Sequence, residues 1–93
     1  MTTENTSYYK LYLVDECPFC KAAADLISSG PCEYLITYYD WEDKTLNEVK
    51  NSYQHKTVPI IVKVNVDGDN ESEEFIGGYT ELVRHFEKEG TNG

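Results

Sequence analysis

The sequence predicts an α/β domain: one four-stranded mixed sheet in the order β-α-β-α-β-β-α, with helices on both faces. Three observations carry this reading. Apolar runs of strand length alternate with segments of helical period from Tyr9 onwards. A strand–helix–strand unit comes first and calls for a parallel crossover. The turn signal Asp67-Gly68-Asp69-Asn70 then joins the last two strands as an antiparallel hairpin.

Tyr9-Lys10-Leu11-Tyr12-Leu13-Val14 is apolar on both faces apart from Lys10, the mark of a central strand in a covered sheet. Cys20 to Ser29 is rich in good helix formers and is stopped by Gly30-Pro31. Glu33 to Tyr39 is β-branched and aromatic, hence a second strand. Thr45-Leu46-Asn47-Glu48 has the spacing of a capping box, after which Leu46, Val49 and Tyr53 recur at helical intervals. Val58-Pro59 leads into the strand Ile60 to Val66, and Glu73 to Ile76 returns as its hairpin partner. Gly77-Gly78 ends that strand. Thr80 is the expected cap of a last helix with Leu82, Val83 and Phe86 inward and Arg84, Glu87 and Lys88 outward. Residues 1–7 and 91–93 are polar and expected to fray, leaving one domain over residues 1–93.

A chain of 93 residues, 40% of them apolar, can build one modest two-layer core. No stretch approaches the roughly 20 apolar residues of a membrane span, and the first dozen residues lack a secretory pattern. An intracellular, cytoplasmic protein is expected. Three cysteines, an odd number, argue against a secreted disulfide framework and leave catalysis or metal binding for a close pair. The formal net charge of −9 argues against nucleic acid and favours a soluble monomer whose partners present basic surfaces.

The chemistry centres on Cys17-Pro18-Phe19-Cys20, directly after the first strand. Two cysteines three apart at a helix start put one sulfur at the exposed first turn and the other just inside it. Unpaired N–H groups and the helix dipole favour a thiolate at the first. Pro18 suits the first helical position because it lacks the N–H that would be orphaned there. Cys17 is the candidate nucleophile and Cys20 the candidate resolving thiol. Zinc would need two further ligands, and no second cysteine pair or His-x-x-x-His supplies them; Cys32, His55 and His85 have no ligand spacing. Cys32 reads as a buried free cysteine, and the two histidines as surface residues.

Thr57-Val58-Pro59 is the second element. Its proline cannot donate to a sheet ladder, so it belongs at a strand entry, where Val58 backbone groups could pair with an extended peptide. Only about 5–6% of such bonds are cis, which by itself favours trans. Third comes Gly77-Gly78-Tyr79-Thr80, where glycines allow close approach and the helix start offers N–H groups to a carboxylate.

Taken together, Cys-Pro-Phe-Cys after the first strand, Thr-Val-Pro before the third and Gly-Gly-Tyr-Thr before the last helix resemble the glutaredoxins. The resemblance runs from about Lys10 to Glu89 and is closest to the small dithiol forms of bacteria and phages, through Phe75-Ile-Gly-Gly-Tyr-Thr-Glu-Leu82 and Tyr39-Asp40. It implies a thioredoxin fold, a cis bond at Pro59, and glutathione as the reducing co-substrate. By matching positions it implies that Cys17 attacks and Cys20 resolves, with Pro18 and Phe19 supporting the motif. Lys56, Thr57, Val58, Pro59, Gly78, Tyr79 and Thr80 would bind glutathione. Clients would be disulfide-containing or glutathionylated proteins, ribonucleotide reductase among them, and no metal is expected.

Two departures matter. Val14 stands where many relatives carry Lys, and Asp15-Glu16 puts two carboxylates before the nucleophile, opposing its thiolate and anionic glutathione. Phe19 replaces the commoner Tyr. Two other functions fit the same residues. One is a thioredoxin-like reductant fed by a flavoprotein reductase, against which Gly-Gly-Tyr-Thr speaks. The other is a module holding an iron–sulfur cluster with glutathione between two chains, against which Pro18 speaks.

Overall fold

The computed structural model describes residues 5–30 and 32–90. The expected fraying of 1–4 and 91–93, and the Pro31 stop, lie outside them. Seven elements follow in order: β1 Asn5–Val14, α1 Pro18–Ser28, β2 Glu33–Tyr39, α2 Lys44–Tyr53, β3 Ile60–Asp67, β4 Asn70–Gly77 and α3 Tyr79–Gly90. The sheet runs β2-β1-β3-β4, with β1 parallel to β2 and antiparallel to β3, and β3 antiparallel to β4. This is the expected mixed sheet with β1 inside it.

Alternation along β1 explains both layers. Tyr9, Leu11 and Leu13 point to one face and form a core with Cys20, Ala23 and Ile27 of α1, Ile61 of β3 and Leu82 of α3. On the opposite face Tyr12 lies between Tyr39 and Tyr53, each ring centre 6.3 Å away, and Tyr53 of α2 stacks on Phe75 at 5.6 Å. Leu46 anchors α2 and is fully buried. Each such Leu or Ile contributes roughly 1.5–3 kcal/mol by leaving water. A strand covered on both sides has no polar face to show, hence the nearly unbroken apolar run.

Several ends differ from expectation, among them that of β4, which begins at Asn70 rather than Glu73. Strand β1 begins at Asn5, because Asn5, Thr6 and Ser7 pair with Asp67, Val66 and Asn65; ladder hydrogen bonds hold this polar stretch that lacks an apolar pattern. Helix α1 begins at Pro18 with Cys17 as its N-cap, ahead of the periodic run from Cys20 and as the fit of Pro18 to a first helical position implies. Asp43, not Thr45, caps α2, its carboxylate accepting the Thr45 N–H at 2.8 Å; a charged oxygen is the stronger partner for the dipole's positive end. Gly78, not Thr80, takes the capping position before α3: its carbonyl accepts the Leu82 N–H and its own N–H donates to Glu81 Oε1 at 2.8 Å. That last bond is half of a capping box.

Both histidines are partly exposed, as surface residues are, yet each has a side-chain partner. His85 is half-buried with Nε2 3.0 Å from the Tyr9 hydroxyl, and His55 is half-buried with Nε2 3.2 Å from Thr57 Oγ1. Cys32 is half-buried and lies against the core rather than inside it.

Candidate active site

The strand order sets four chain segments side by side at one end of the sheet. From edge to edge they are the exit of β2 (Asp40-Trp41), the exit of β1 (Asp15-Glu16-Cys17), the entry of β3 (Lys56 to Pro59) and the exit of β4 (Gly77-Gly78). The three motifs read from the sequence therefore meet, although 61 residues separate Cys17 from Gly78.

Cys17 occupies the N-cap of α1 and its Sγ accepts the Cys20 N–H at 3.3 Å. Glu16, with φ of 64°, takes the left-handed conformation that turns the chain from β1 into the helix. The two thiols are inequivalent. Cys17 is half-buried at the surface, whereas Cys20 lies one turn in and is 2% exposed. Burial first, then the hydrogen bond with Cys17, pushes the Cys20 thiol up to about 12. Cys20 is therefore protonated at neutral pH and does not compete as nucleophile.

A pH dependence follows. A folded-state pKa raised above the unfolded value gives stability that is full below the ordinary thiol range and is lost as pH climbs towards about 12. Denaturant titrations of the reduced protein are expected to show less alkaline loss in Cys20→Ala than in wild type. Iodoacetamide at neutral pH is expected to label Cys17 and leave Cys20 unmodified, as peptide mass spectrometry will read.

Around Cys17, Val58 and Tyr79 are half-buried against the same core, and the Val58-Pro59 bond is cis. Phe19, 62% exposed, lies 6.2 Å from the Tyr79 ring. Lys56, Thr57 and Thr80 are exposed at this end. A methyl group placed on Gly78 would come 3.7 Å from the Pro59 carbonyl and 3.9 Å from His55 Nε2. The last two motifs are thus in direct proximity. His55 belongs to this neighbourhood, held edge-on to Phe75 at 5.4 Å. Sequence reading missed it because its only signal, two residues before Thr57, has no spacing of its own. Glu81 was missed likewise: its carboxylate already occupies the Gly78 N–H, leaving Tyr79 and Thr80 as the next N–H groups of the helix start.

Neither a family model nor a curated protein sequence matches the chain. Solved structures do. Glutaredoxin 1 from Francisella tularensis, solved with cacodylate, matches at 24% identity and TM-score 0.64, over 95% of this chain and all of the other. A thioredoxin from Thermus thermophilus matches at 14% identity and TM-score 0.50, over 89% of this chain and 72% of the other. The chain has the thioredoxin fold.

Within the thioredoxin fold Gly77 is a position where a side chain would be strained. Its φ of 122° is closed to side-chain-bearing residues, and an added Cβ would sit 2.9 Å from Glu81 Cγ. Gly77→Ala is expected to cost about 1–3 kcal/mol. It should also displace the Glu81 cap, which amide NMR shifts at Gly78 to Leu82 will report. No helix of the described residues is long and apolar enough to cross a membrane.

Proposed function

We propose that this protein is a glutathione-dependent thiol–disulfide oxidoreductase of the glutaredoxin kind. One observation carries the reading: a half-buried thiol caps a helix, one turn before a buried thiol, at the sheet end that the cis Val58-Pro59 turn also occupies. In the forward direction the Cys17 thiolate attacks a client disulfide. A Cys17–client bond forms, and the other client sulfur leaves as a thiolate that takes a proton from water. Cys20 then gives up its proton and attacks Cys17 Sγ, releasing the second client thiol. The client disulfide becomes two thiols, and Cys17–Cys20 becomes the disulfide. Two glutathiones restore the dithiol and leave as glutathione disulfide.

Glutathione would lie in extended form along the Val58 backbone. Tyr79 and Thr80 N–H groups would receive one carboxylate, and Lys56 and Thr57 would lie near the other. Glutathionylated proteins and ribonucleotide reductase are the clients this reading brings, in a reducing cytoplasm. The test follows reduction of the Cys17–Cys20 disulfide by glutathione, with glutathione reductase and NADPH as the readout. Steady turnover on a small glutathione mixed disulfide is the expected result.

A second reading, a thioredoxin-like reductant, is favoured by the Gly78 N–H being already engaged by Glu81 and by the carboxylates at Asp15 and Glu16. Reduction by a flavoprotein thioredoxin reductase with none by glutathione would establish it instead.

A further inference from the structure

The two flanks of Cys17 are chemically different. Towards β3 and β4 lie His55, Lys56, Pro59 and Gly78. Towards β2 the picture reverses. Val14 is the register partner of Tyr39, and the two strands run parallel. The chain leaving β1 towards Cys17 therefore starts beside the chain leaving β2, about 4.8 Å away. The segments so joined are Asp15-Glu16 and Asp40-Trp41-Glu42. Trp41, two residues past the end of β2, is 55% exposed, and Tyr38, near the end of that edge strand, is 54% exposed. Asp15, Glu16, Asp40 and Glu42 are exposed, and none is in an ion pair among the described residues. In sequence, Lys21 and Lys44 follow these two segments, two cations against four carboxylates.

Resting on the exchange reading above, we propose that this flank docks client polypeptides in which arginine and lysine surround the reactive disulfide. The exposed rings supply the apolar surface, and charge complementarity selects the occupant. An indole face is the best side-chain partner for a guanidinium or ammonium, and carboxylates lie on either side of it. Because β2 is an edge strand, its outer N–H and C=O groups can also pair with an extended segment. A second copy of this chain would bring like charge, net −9, to the same place. Attack, release and proton movement are those already given; the flank adds only the approach of the client sulfur to Cys17.

The experiment mixes the reduced protein, without glutathione, with two peptide disulfides identical except for four flanking residues. These are arginine and lysine in one and glutamate in the other. Acid-quenched samples are read by mass for the Cys17–Cys20 disulfide. The basic peptide is expected to oxidise the pair at least about tenfold faster at low salt, the lower bound of electrostatic steering. The ratio should shrink in 1 M salt, where the screening length is about 3 Å. D40N/E42Q should slow the basic peptide and speed the acidic one, a crossing that misfolding does not produce. E71Q/E74Q makes the same change in net charge on β4 and should keep the wild-type ratio. Equal wild-type rates for the two peptides overturn the proposal. So does a ratio that E71Q/E74Q lowers as much as D40N/E42Q. If neither peptide oxidises the pair, the exchange reading falls as well.

Discussion

Cys17→Ser is expected to reduce disulfide exchange to the uncatalysed background, whereas Cys20→Ser keeps the first step and stops there. A serine hydroxyl does not ionise at neutral pH, and Cys20 cannot substitute for the missing nucleophile. It is 2% exposed and pushed up to about 12, hence both hidden and protonated. With Cys20 replaced, the Cys17–client disulfide has no internal thiol to resolve it. Intact mass spectra after mixing with a glutathionylated peptide should show Cys20→Ser heavier by one glutathionyl group and Cys17→Ser unchanged. The opposite pattern would reverse the two roles.

Leu11→Ala is expected to be the most destabilising single truncation at the centre of the sheet. Leu11 is fully buried, with Ile36 beside it on β2 and Ile61 beside it on β3. Removing its side chain opens a cavity beneath α1 and α3 at a cost of about 2–5 kcal/mol. Domains of this size hold about 5–15 kcal/mol in all, so the loss is a large share. The melting temperature should fall by roughly 10 °C or more. Leu35→Ala on the edge strand, 56% exposed, should stay within about 0.5 kcal/mol of wild type. Equal losses at the two positions would mean that the core is not where the structure places it.

Most of the fold was legible because its signals are local. The Tyr9–Val14 run, the Cys17-Pro18 helix start and the Gly68 turn each state their geometry within a few residues. Gly68 has φ of 64°, at the first central position of a two-residue hairpin turn, where a type II′ turn needs glycine. What was not legible depends on competition or distance. Thr45 and Thr80 are good caps, yet Asp43 outcompetes the first and a backward bond from Glu81 settles the second. Asn5-Thr6-Ser7 has no strand pattern and becomes strand only because β3 lies alongside. His85 meets Tyr9 across 76 residues, and no spacing rule encodes that. The cis bond at Pro59 came from family resemblance rather than from residue chemistry. Within the site, the cysteine pair could be read from its motif, while His55 and Glu81 required the fold to bring them in.

The length of the β3–β4 hairpin has a practical consequence. Strand β3 leaves the reactive end at Ile60 and turns at Gly68-Asp69, eight residues on, or roughly 25 Å away. A dye, an electrode tether or an inserted tag at that tip would stand clear of Cys17, the Val58-Pro59 turn and Gly78. The protein could be wired to a gold surface there with its cysteine pair at the far end, so that the proposed redox cycle would be read as current.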